Sequence, residues 1–252
     1  MKIQLIRHAT HLITYKGLKL LLDPMLSPKG TLPPVPNAPN QHLNNPLSSL
    51  PVSLEELVGI DAIIVTHSHR DHFDNHAISI LPKYIPLFCQ PADEQLIKDK
   101  GFEHVIAIDG EFVWQGIELI RTEGRHGHGQ LAEAMGSVSG FILRTKDEPI
   151  LYIIGDSVWY SDIQQYFKLF SPDAAIVFAG EAQFLDGLPI TMGIADIENI
   201  RQTSPYTKLI ISHMESWNHC LLKREEVRDY ISQNKLENKI SVPENGEIIE
   251  IR

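Results

Sequence analysis

The chain has 252 residues, 43% of them apolar and 21% charged, and its 22 Lys and Arg against 32 Asp and Glu leave a formal net charge of −10. This length provides enough interior for a substantial core, and the composition excludes an extensively disordered protein. The acidic balance argues against a protein that binds nucleic acid or an anionic membrane, because both attract cationic surfaces.

The cysteine content and the N-terminus indicate where the chain resides. Only two cysteines are present, Cys89 and Cys220, too few for a disulfide scaffold and typical of a reducing compartment. Residues 1–8 lack the apolar core of a signal peptide, and no run of 18 apolar residues occurs. We therefore expect a cytoplasmic protein without a membrane partner.

The N-terminal region predicts three short strands followed by a long irregular segment. Ile3–Ile6, Leu12–Tyr15 and Leu18–Leu22 are short and rich in β-forming residues. Residues 23–51 then contain eight of the sixteen prolines, which disfavours regular structure. A loop of this length is typical of a lid or a binding edge, and equally of a surface excursion or an oligomer contact.

From Asp61 onward, apolar runs of strand length alternate with helical patterns, as in a mixed α/β fold. Strands are predicted at Ala62–Val65, Pro86–Phe88, Val105–Ile108, Ile117–Ile120, Val138–Leu143, Ile150–Ile154, Ala174–Phe178, Leu209–Ile211, Ile240–Val242 and Ile248–Ile251. Helices are predicted at Asn75–Leu81, Ala92–Lys100, Asp162–Phe170, Ile194–Gln202 and Arg224–Asn234. The similar runs Asp61–Val65 and Asp173–Val177 suggest two β-rich halves, about 1–122 and 137–252, within one domain.

Four of the predicted strands lead directly into chemically reactive side chains. The strand ends are followed by Thr66–His72, Gly155-Asp156-Ser157, Gly180-Glu181 and Ser212-His213. In α/β architectures, sites gather at the carboxyl ends of buried strands, because the loops there converge around one crevice. We therefore expect these groups to share a site.

The most specific segment is His67-Ser68-His69-Arg70-Asp71-His72. Three imidazoles and a carboxylate within six residues are not explained by packing, and they are preferred ligands of Zn²⁺ and related divalent ions. His67 and His69 project to the same side if the strand end stays extended. Asp71 and His72 follow a bend and could face a second ion, whereas a solvated polar turn is the less favoured alternative.

This pattern resembles the metallo-β-lactamase superfamily. Within it, the chain is similar to the branch that contains L-ascorbate-6-phosphate lactonase and many uncharacterised metal-dependent hydrolases. The matching segments are Leu22–Pro24, Thr66–Asp74, Gly124–Gly129, Tyr152–Tyr160, Pro189–Met192 and His213–Cys220. The resemblance implies a four-layer αββα sandwich with metals at one edge of the sheets.

The resemblance also implies a ligand set for two divalent ions, with zinc favoured over manganese, iron or nickel. One ion would be held by His67, His69 and His126, and the other by Asp71, His72 and His213, with Asp156 bridging them. His126-Gly127-His128 offers two imidazoles where the pattern needs one. We favour His126, and His128 remains either the true ligand or a contact of the ligands or the substrate.

Such a centre predicts hydrolysis, because two ions about 3.5–4 Å apart share a hydroxide that forms near neutral pH. Asp71 is expected to orient this nucleophile as well as to bind metal. His219 and Glu181 are the candidate general acids or bases, each balanced by a structural interpretation. His8 follows a short strand and either approaches the site or is a hydrogen-bonded structural histidine.

Five further residues are candidate substrate contacts: Arg70, Arg125, His128, Trp159 and Asn218. An arginine pairs with phosphate or carboxylate, so the expected substrate is a small anionic ester, lactone or phosphoester. Solvated or ion-paired arginines, and a Trp159 that only begins a helix, are the alternatives.

Two other function classes use the same residues. A phosphodiesterase or nuclease would share the ligands, but the chain has no basic stripe to bind RNA. A non-catalytic, metal-stabilised scaffold is disfavoured, because four closed ligands suffice for structure. We predict a metal-dependent hydrolase of small molecules that does not bind nucleic acid and that forms a homo-oligomer.

Overall fold

A computed structural model describes residues 1–252 as two seven-stranded sheets, with strands numbered along the chain. The first sheet contains β1 (Lys2–Arg7), β2 (Thr10–Tyr15), β3 (Leu18–Leu22), β4 (Ala62–Ile64), β5 (Pro86–Cys89), β6 (His104–Ala107) and β14 (Ile248–Glu250), in the order β14-β1-β2-β3-β4-β5-β6. The second contains β7 (Glu111–Trp114), β8 (Ile117–Glu123), β9 (Ser139–Thr145), β10 (Glu148–Ile153), β11 (Ala174–Phe178), β12 (Lys208–Ser212) and β13 (Ile240–Ser241), in the order β13-β12-β11-β10-β9-β8-β7.

Seven helices accompany the sheets: α1 (Leu54–Val58), α2 (Asn75–Ile80), α3 (Glu94–Asp99), α4 (Gly129–Met135), α5 (Ser161–Phe170), α6 (Ile194–Thr203) and α7 (Arg224–Asn234). Apolar side chains of α1, α2 and α3 pack on the outer face of the first sheet. Those of α5, α6 and α7 pack on the outer face of the second. The expected αββα sandwich is therefore confirmed. None of the helices has the length and apolar character needed to span a bilayer.

The main core lies between the two sheets, and β11 shows how the sequence produces it. Every residue of this strand is buried. Ala174, Ile176 and Phe178 point into the core between the sheets, whereas Ala175 and Val177 contact the helices outside. Successive side chains of a strand alternate between faces, so a strand covered on both faces is apolar throughout.

The two aspartates that begin the repeated sequence have equivalent structural positions. Asp61 precedes β4, and its Oδ2 accepts a hydrogen bond from the Lys19 amide at 2.8 Å. Asp173 precedes β11, and its Oδ2 accepts one from the Ile150 amide at 2.7 Å. Each carboxylate therefore joins the start of one parallel strand to its neighbour, once in each sheet.

The predicted halves, about 1–122 and 137–252, do not coincide with the division of the strands between the two sheets. The hairpin of β7 and β8 already belongs to the second sheet, and β14 returns to the first. The sequence pattern also missed β7, because Phe112 and Val113 are exposed on this edge strand and show no buried alternation. The short helices α1 and α4 were missed as well.

The long irregular segment after β3 is attached to the sheet by a buried arginine. Arg7 is fully buried at the end of β1. Its guanidinium donates to the carbonyls of Met25, Ser27 and Ser48 at 2.8–2.9 Å. Burial lowers the pKa of Arg7 to about 10, partly offset by the Asp74 carboxylate. This one side chain therefore holds both ends of a loop that reaches the functional site.

Replacing Arg7 by methionine is expected to destabilise the chain. The Arg7→Met variant leaves three buried carbonyls without their donor, so the free energy of unfolding should fall by about 3 kcal/mol. Urea denaturation measures this change. Arg252→Met is the matched control, because its side chain is 92% exposed. Equal unfolding free energies for the two variants would contradict this role of Arg7.

Candidate metal centre

Strands from both sheets end at one edge of the sandwich. β1, β3 and β4 run in the same direction in the first sheet, as do β8, β10 and β12 in the second. The residues that follow these carboxyl ends are His8, Thr66–His72, His126, Asp156 and His213. The His213 amide donates to the His8 carbonyl at 3.1 Å and joins the two sheets at this edge.

The histidine-rich turn after β4 is held by Asp23, which follows β3. The carboxylate of Asp23 accepts hydrogen bonds from the amide and hydroxyl of Thr66, each at 2.7 Å. Its Oδ2 also lies 2.8 Å from Nδ1 of His72. The turn then closes through the amides of His72 and Phe73, which both donate to the His69 carbonyl. The Asp23 side chain thus sets both the backbone of the turn and the orientation of one imidazole.

Asp156 depends on the glycine before it. Gly155 has a φ of +76°, and a Cβ at this position would lie 2.3 Å from the Ser139 carbonyl oxygen. Only glycine therefore lets the chain turn here and aim the Asp156 carboxylate inward. Oδ1 of Asp156 is buried without a hydrogen-bond donor.

The donor atoms of seven side chains form one continuous cluster: His67, His69, Asp71, His72, His126, Asp156 and His213. Nε2 of His72 lies 3.2 Å from Nε2 of His213 and 3.3 Å from Oδ2 of Asp156. Oδ1 of Asp156 lies 3.3 Å from Nε2 of His213, and Oδ2 lies 3.5 Å from Nε2 of His126. Oδ2 of Asp71 is 3.7 Å from Nε2 of His213.

These separations fit divalent metal ions. Ligand atoms about 2.0–2.1 Å from a tetrahedral ion are about 3.3 Å apart, which is the spacing observed around Asp156. The two oxygens of Asp156 face different imidazoles, so this carboxylate would contribute to holding a divalent ion. The buried, unpartnered Oδ1 has the character of a ligand that lacks its cation.

The far nitrogens of the imidazoles have partners that fix their orientation. Nδ1 of His126 lies 2.9 Å from the Ile190 carbonyl oxygen, to which it donates. Nδ1 of His72 faces Asp23, and Nδ1 of His213 lies 3.7 Å from Sγ of Cys220. Such outer contacts set the tautomer and leave the inner nitrogen free to bind metal.

The electrostatics of the cluster also favour cations. Burial alone would raise the pKa of Asp156, but His213 and His72 outweigh it and hold this pKa well below its usual value. Burial disfavours charge on His72 too, yet Asp156, Asp71 and Asp23 raise its pKa to about 10. Asp156 is thus anionic, and without metal it helps to hold a proton on the His72 imidazole.

His8 contacts this centre although it lies outside the histidine-rich segments. Its ring lies on His213 with centroids 3.7 Å apart, and its Nε2 is 3.4 Å from Oδ2 of Asp71. It is fully buried, and its Nδ1 has no partner. Of the two interpretations offered by the sequence, the structure places His8 at the site, where its donor atom lies close to those of Asp71, His72 and His213.

A pocket of about 200 Å³ opens onto the cluster. Its polar lining comes from His69, Arg70, Asp71, His126 and His219. The apolar walls, which the sequence patterns did not reveal, are Val35, Met135, Phe184, Ile190 and Trp217. Val35 belongs to the proline-rich loop, so this loop forms a binding edge. No periodicity marks the other four, because they come from separate segments that meet only in the folded chain.

Three of the candidate catalytic or substrate residues line this pocket. His219 is buried, its Nδ1 has no partner, and burial lowers the pKa of its imidazole to about 4. The Arg70 guanidinium lies 5.1 Å from the centroid of the Trp217 ring and donates to the Pro34 carbonyl at 3.0 Å. Asp71 lines the pocket as well.

The other five candidates do not line it, and the structure gives a reason for each. Glu181 reaches the start of α6, where it accepts a hydrogen bond from Ile194 and fills the space beside Gly193. Arg125 is exposed and lies over the Tyr160 ring at 4.2 Å. His128 is also exposed, just before α4, so His126 alone of this pair joins the cluster.

Trp159 and Asn218 contact other parts of the chain instead of lining the pocket. Trp159 packs against Phe167 of α5, with ring centroids 6.3 Å apart. The side chain of Asn218 accepts from the Val35 amide and the Asn45 amide group and donates to the Pro39 carbonyl. Its hydrogen-bonding groups are therefore used to hold the proline-rich loop, which leaves them unsuited to substrate binding.

A model for a beta-lactamase superfamily domain matches residues 19–214. The chain is also 41% identical over 250 residues to the UPF0173 protein YddR of Bacillus subtilis strain 168. This match covers 98% of each of the two chains. The chain belongs to the UPF0173 metal-dependent hydrolases of the beta-lactamase superfamily. The resemblance seen in the sequence is thereby confirmed.

Two solved structures resemble this hydrolase over its full length. One is a possible metal-dependent hydrolase from Veillonella parvula DSM 2008, with 37% identity, a TM-score of 0.97 and coverage of 100% of this chain and 99% of that one. The other is isothiocyanate hydrolase from Delia radicum gut bacteria, with 34% identity, a TM-score of 0.95 and the same coverage.

The structure makes opposite predictions for the paired histidines of the 126–128 segment. His126→Ala should remove metal from the purified hydrolase, because the imidazole is buried among the other donors. His128→Ala should retain the wild-type metal content, because that side chain is exposed. Elemental mass spectrometry measures both. Equal metal loss in the two variants would contradict the placement of His126.

Metal retention should fall as the pH falls. The facing carboxylates raise the pKa of His72 to about 10 and raise that of His213 well above its usual value, so protons compete with metal for both imidazoles. Acid strengthens this competition and weakens metal binding. Equilibrium dialysis against a fixed concentration of free metal, repeated at several pH values between 8 and 5, tests this expectation. Retention that rises or stays constant toward pH 5 would contradict it.

Proposed function

We propose that this hydrolase cleaves a small, neutral, electrophilic carbon compound, with an organic isothiocyanate as the candidate substrate. The observation that carries the proposal is the contrast between the floor and the walls of the pocket. The floor presents the donor cluster, and half of the lining residues are apolar. The likeness to isothiocyanate hydrolase, at 34% identity over the whole chain, supports the same substrate class.

The two arginines near the pocket already have partners, which favours a neutral substrate. Arg70 is the one arginine that lines it, and its guanidinium is engaged by the Pro34 carbonyl and the Trp217 ring. Arg125, the second predicted anion contact, lies on Tyr160 instead. Recognition of a phosphate usually requires a guanidinium free to pair with two oxygens. The pocket therefore suits an uncharged head group better than a phosphoester.

Hydrolysis of an isothiocyanate is a balanced addition and elimination. The oxygen of water bonds to the central carbon of R–N=C=S, which gives the thiocarbamate R–NH–C(O)–SH. The C–N bond then breaks, the nitrogen takes the thiol proton, and R–NH₂ and carbonyl sulfide leave. Bound divalent ions would supply hydroxide near neutral pH and polarise the electrophile.

Two side chains of the pocket suit the proton transfers. Asp71 is anionic, because His72, His213 and His8 overcome the effect of burial and hold its pKa well below the usual value. It is placed to accept a hydrogen bond from the attacking water. His219 is neutral, lines the pocket and has no partner for its Nδ1, so its imidazole would accept a proton from the attacking water and pass it to the substrate nitrogen.

A second candidate is the anionic lactone or phosphoester expected from the sequence. Arg70 favours it, because this guanidinium lines the pocket and would release the Pro34 carbonyl to pair with an anion. An Arg70→Lys variant separates the two candidates. It should strongly weaken turnover of an anionic substrate and have a small effect on a neutral one.

The deciding experiment compares allyl isothiocyanate, γ-butyrolactone and a phosphodiester as substrates of the metal-containing protein. We expect turnover of the isothiocyanate with release of amine and carbonyl sulfide. His219→Ala should lower kcat roughly a hundredfold without loss of metal. His104→Ala is the matched control, because this histidine is exposed on β6, away from the pocket. Turnover of only the lactone or the phosphodiester would overturn the isothiocyanate assignment.

A further inference from the structure

A groove beside the metal pocket shares one wall with it. The groove has a volume of about 370 Å³ and is lined by Asn37, Leu131, Phe184, Leu185 and Asp186. Phe184 also lines the metal pocket, so the two spaces adjoin at its ring. α4 borders both, because Leu131 faces the groove and Met135 faces the pocket.

The groove has a defined shape because its walls are bonded to the site. The Leu185 amide donates to the Asn37 carbonyl at 2.7 Å, and the Gln183 amide donates to the His219 carbonyl at 3.0 Å. The Gln183 side chain donates to the Gly187 carbonyl at 2.8 Å and closes the loop on itself. The segment that carries Phe184 and Leu185 is therefore fastened to both the proline-rich loop and the loop after β12 that contains His219.

The lining selects for an apolar occupant. Leu185 and the nearby Leu188 are 66% and 62% exposed, an unusual position for two large apolar side chains in one short loop. No basic residue lines the groove, and Asp186 adds a negative charge at its rim. An anionic group would thus be repelled, whereas a hydrocarbon chain or ring would cover exposed leucine.

The volumes of the pocket and the groove also support an apolar substituent in the groove. At about 200 Å³, the metal pocket is smaller than the roughly 300–1,000 Å³ typical of small-molecule sites. Pocket and groove together fall within that range. The pocket would hold the reacting head of a substrate, and a larger substituent would extend past Phe184, the residue that lines both spaces.

We infer that the groove binds the apolar substituent of the substrate and thereby sets the preference of the enzyme for long-chain or aromatic electrophiles. This inference rests on the proposed function for the identity of the reacting head. It assigns substrate specificity to Leu131, Phe184 and Leu185. None of these three residues forms a hydrogen bond with a metal-binding side chain.

A homologous series of alkyl isothiocyanates tests the inference on the wild-type protein. Burial of each added methylene should raise kcat/KM about fourfold until the groove is filled. In a Leu131→Ser, Leu185→Ser double variant, the ratio of kcat/KM for hexyl to methyl isothiocyanate should fall at least fivefold, mainly through KM. Leu169→Ser is the matched control, because Leu169 is 72% exposed on α5 and lines neither space. A ratio near one for the wild type would overturn the inference.

Alkyl hydroxamates separate this inference from the proposed reaction, because their head groups chelate divalent metal whatever the natural substrate is. Their affinity for the metal-containing protein, measured by calorimetry, should increase with tail length in the wild type and in Leu169→Ser, but much less in the double variant. Tail-dependent hydroxamate binding without isothiocyanate turnover would support the groove and overturn the reaction. Isothiocyanate turnover with no tail dependence for either series would support the reaction and overturn the groove.

Discussion

Two carboxylates, Asp71 and Asp156, are buried among imidazoles where the two sheets meet, and their negative charge constrains everything around them. Removing a carboxylate from water costs several kcal/mol unless cations or donors face it. Here the facing groups are imidazoles from both sheets, so the charge is balanced only when the sandwich is closed. The same arrangement leaves an inner oxygen of Asp156 without a donor. A site that suits divalent cations is the direct consequence.

Backbone geometry and a few buried hydrogen bonds hold the donor residues in the positions that this charge balance requires. Parallel strand ends deliver the donors from both sheets to one edge. Asp23 holds the histidine-rich turn, and Gly155 permits the close approach that aims Asp156. Arg7 and Asn218 fasten the proline-rich loop that covers the pocket. These residues lie outside the donor cluster, yet the geometry of the site depends on them.

The apolar walls of the pocket come from four separate segments. Val35 lies on the proline-rich loop, Met135 on α4, Phe184 and Ile190 on the loop after β11, and Trp217 on the loop after β12. Two arginines that suggested an anionic substrate are engaged by a carbonyl and by aromatic rings. The proposal of a neutral substrate therefore rests on the walls of the pocket rather than on the donor cluster.

The sequence by itself determined the mixed α/β pattern and the histidine-rich motif, because both depend on local patterns: apolar runs of strand length, and side chains that directly follow a strand. The layered sandwich and the remaining donors followed from the family resemblance that these motifs carry. Only the tertiary structure decided between His126 and His128, placed His8 beside Asp71, and removed Glu181, Trp159 and Asn218 from the pocket. Those outcomes depend on which way a side chain points after a turn and on which distant segment lies opposite. Neither is encoded in neighbouring residues, because both follow from the packing of strands far apart in the chain.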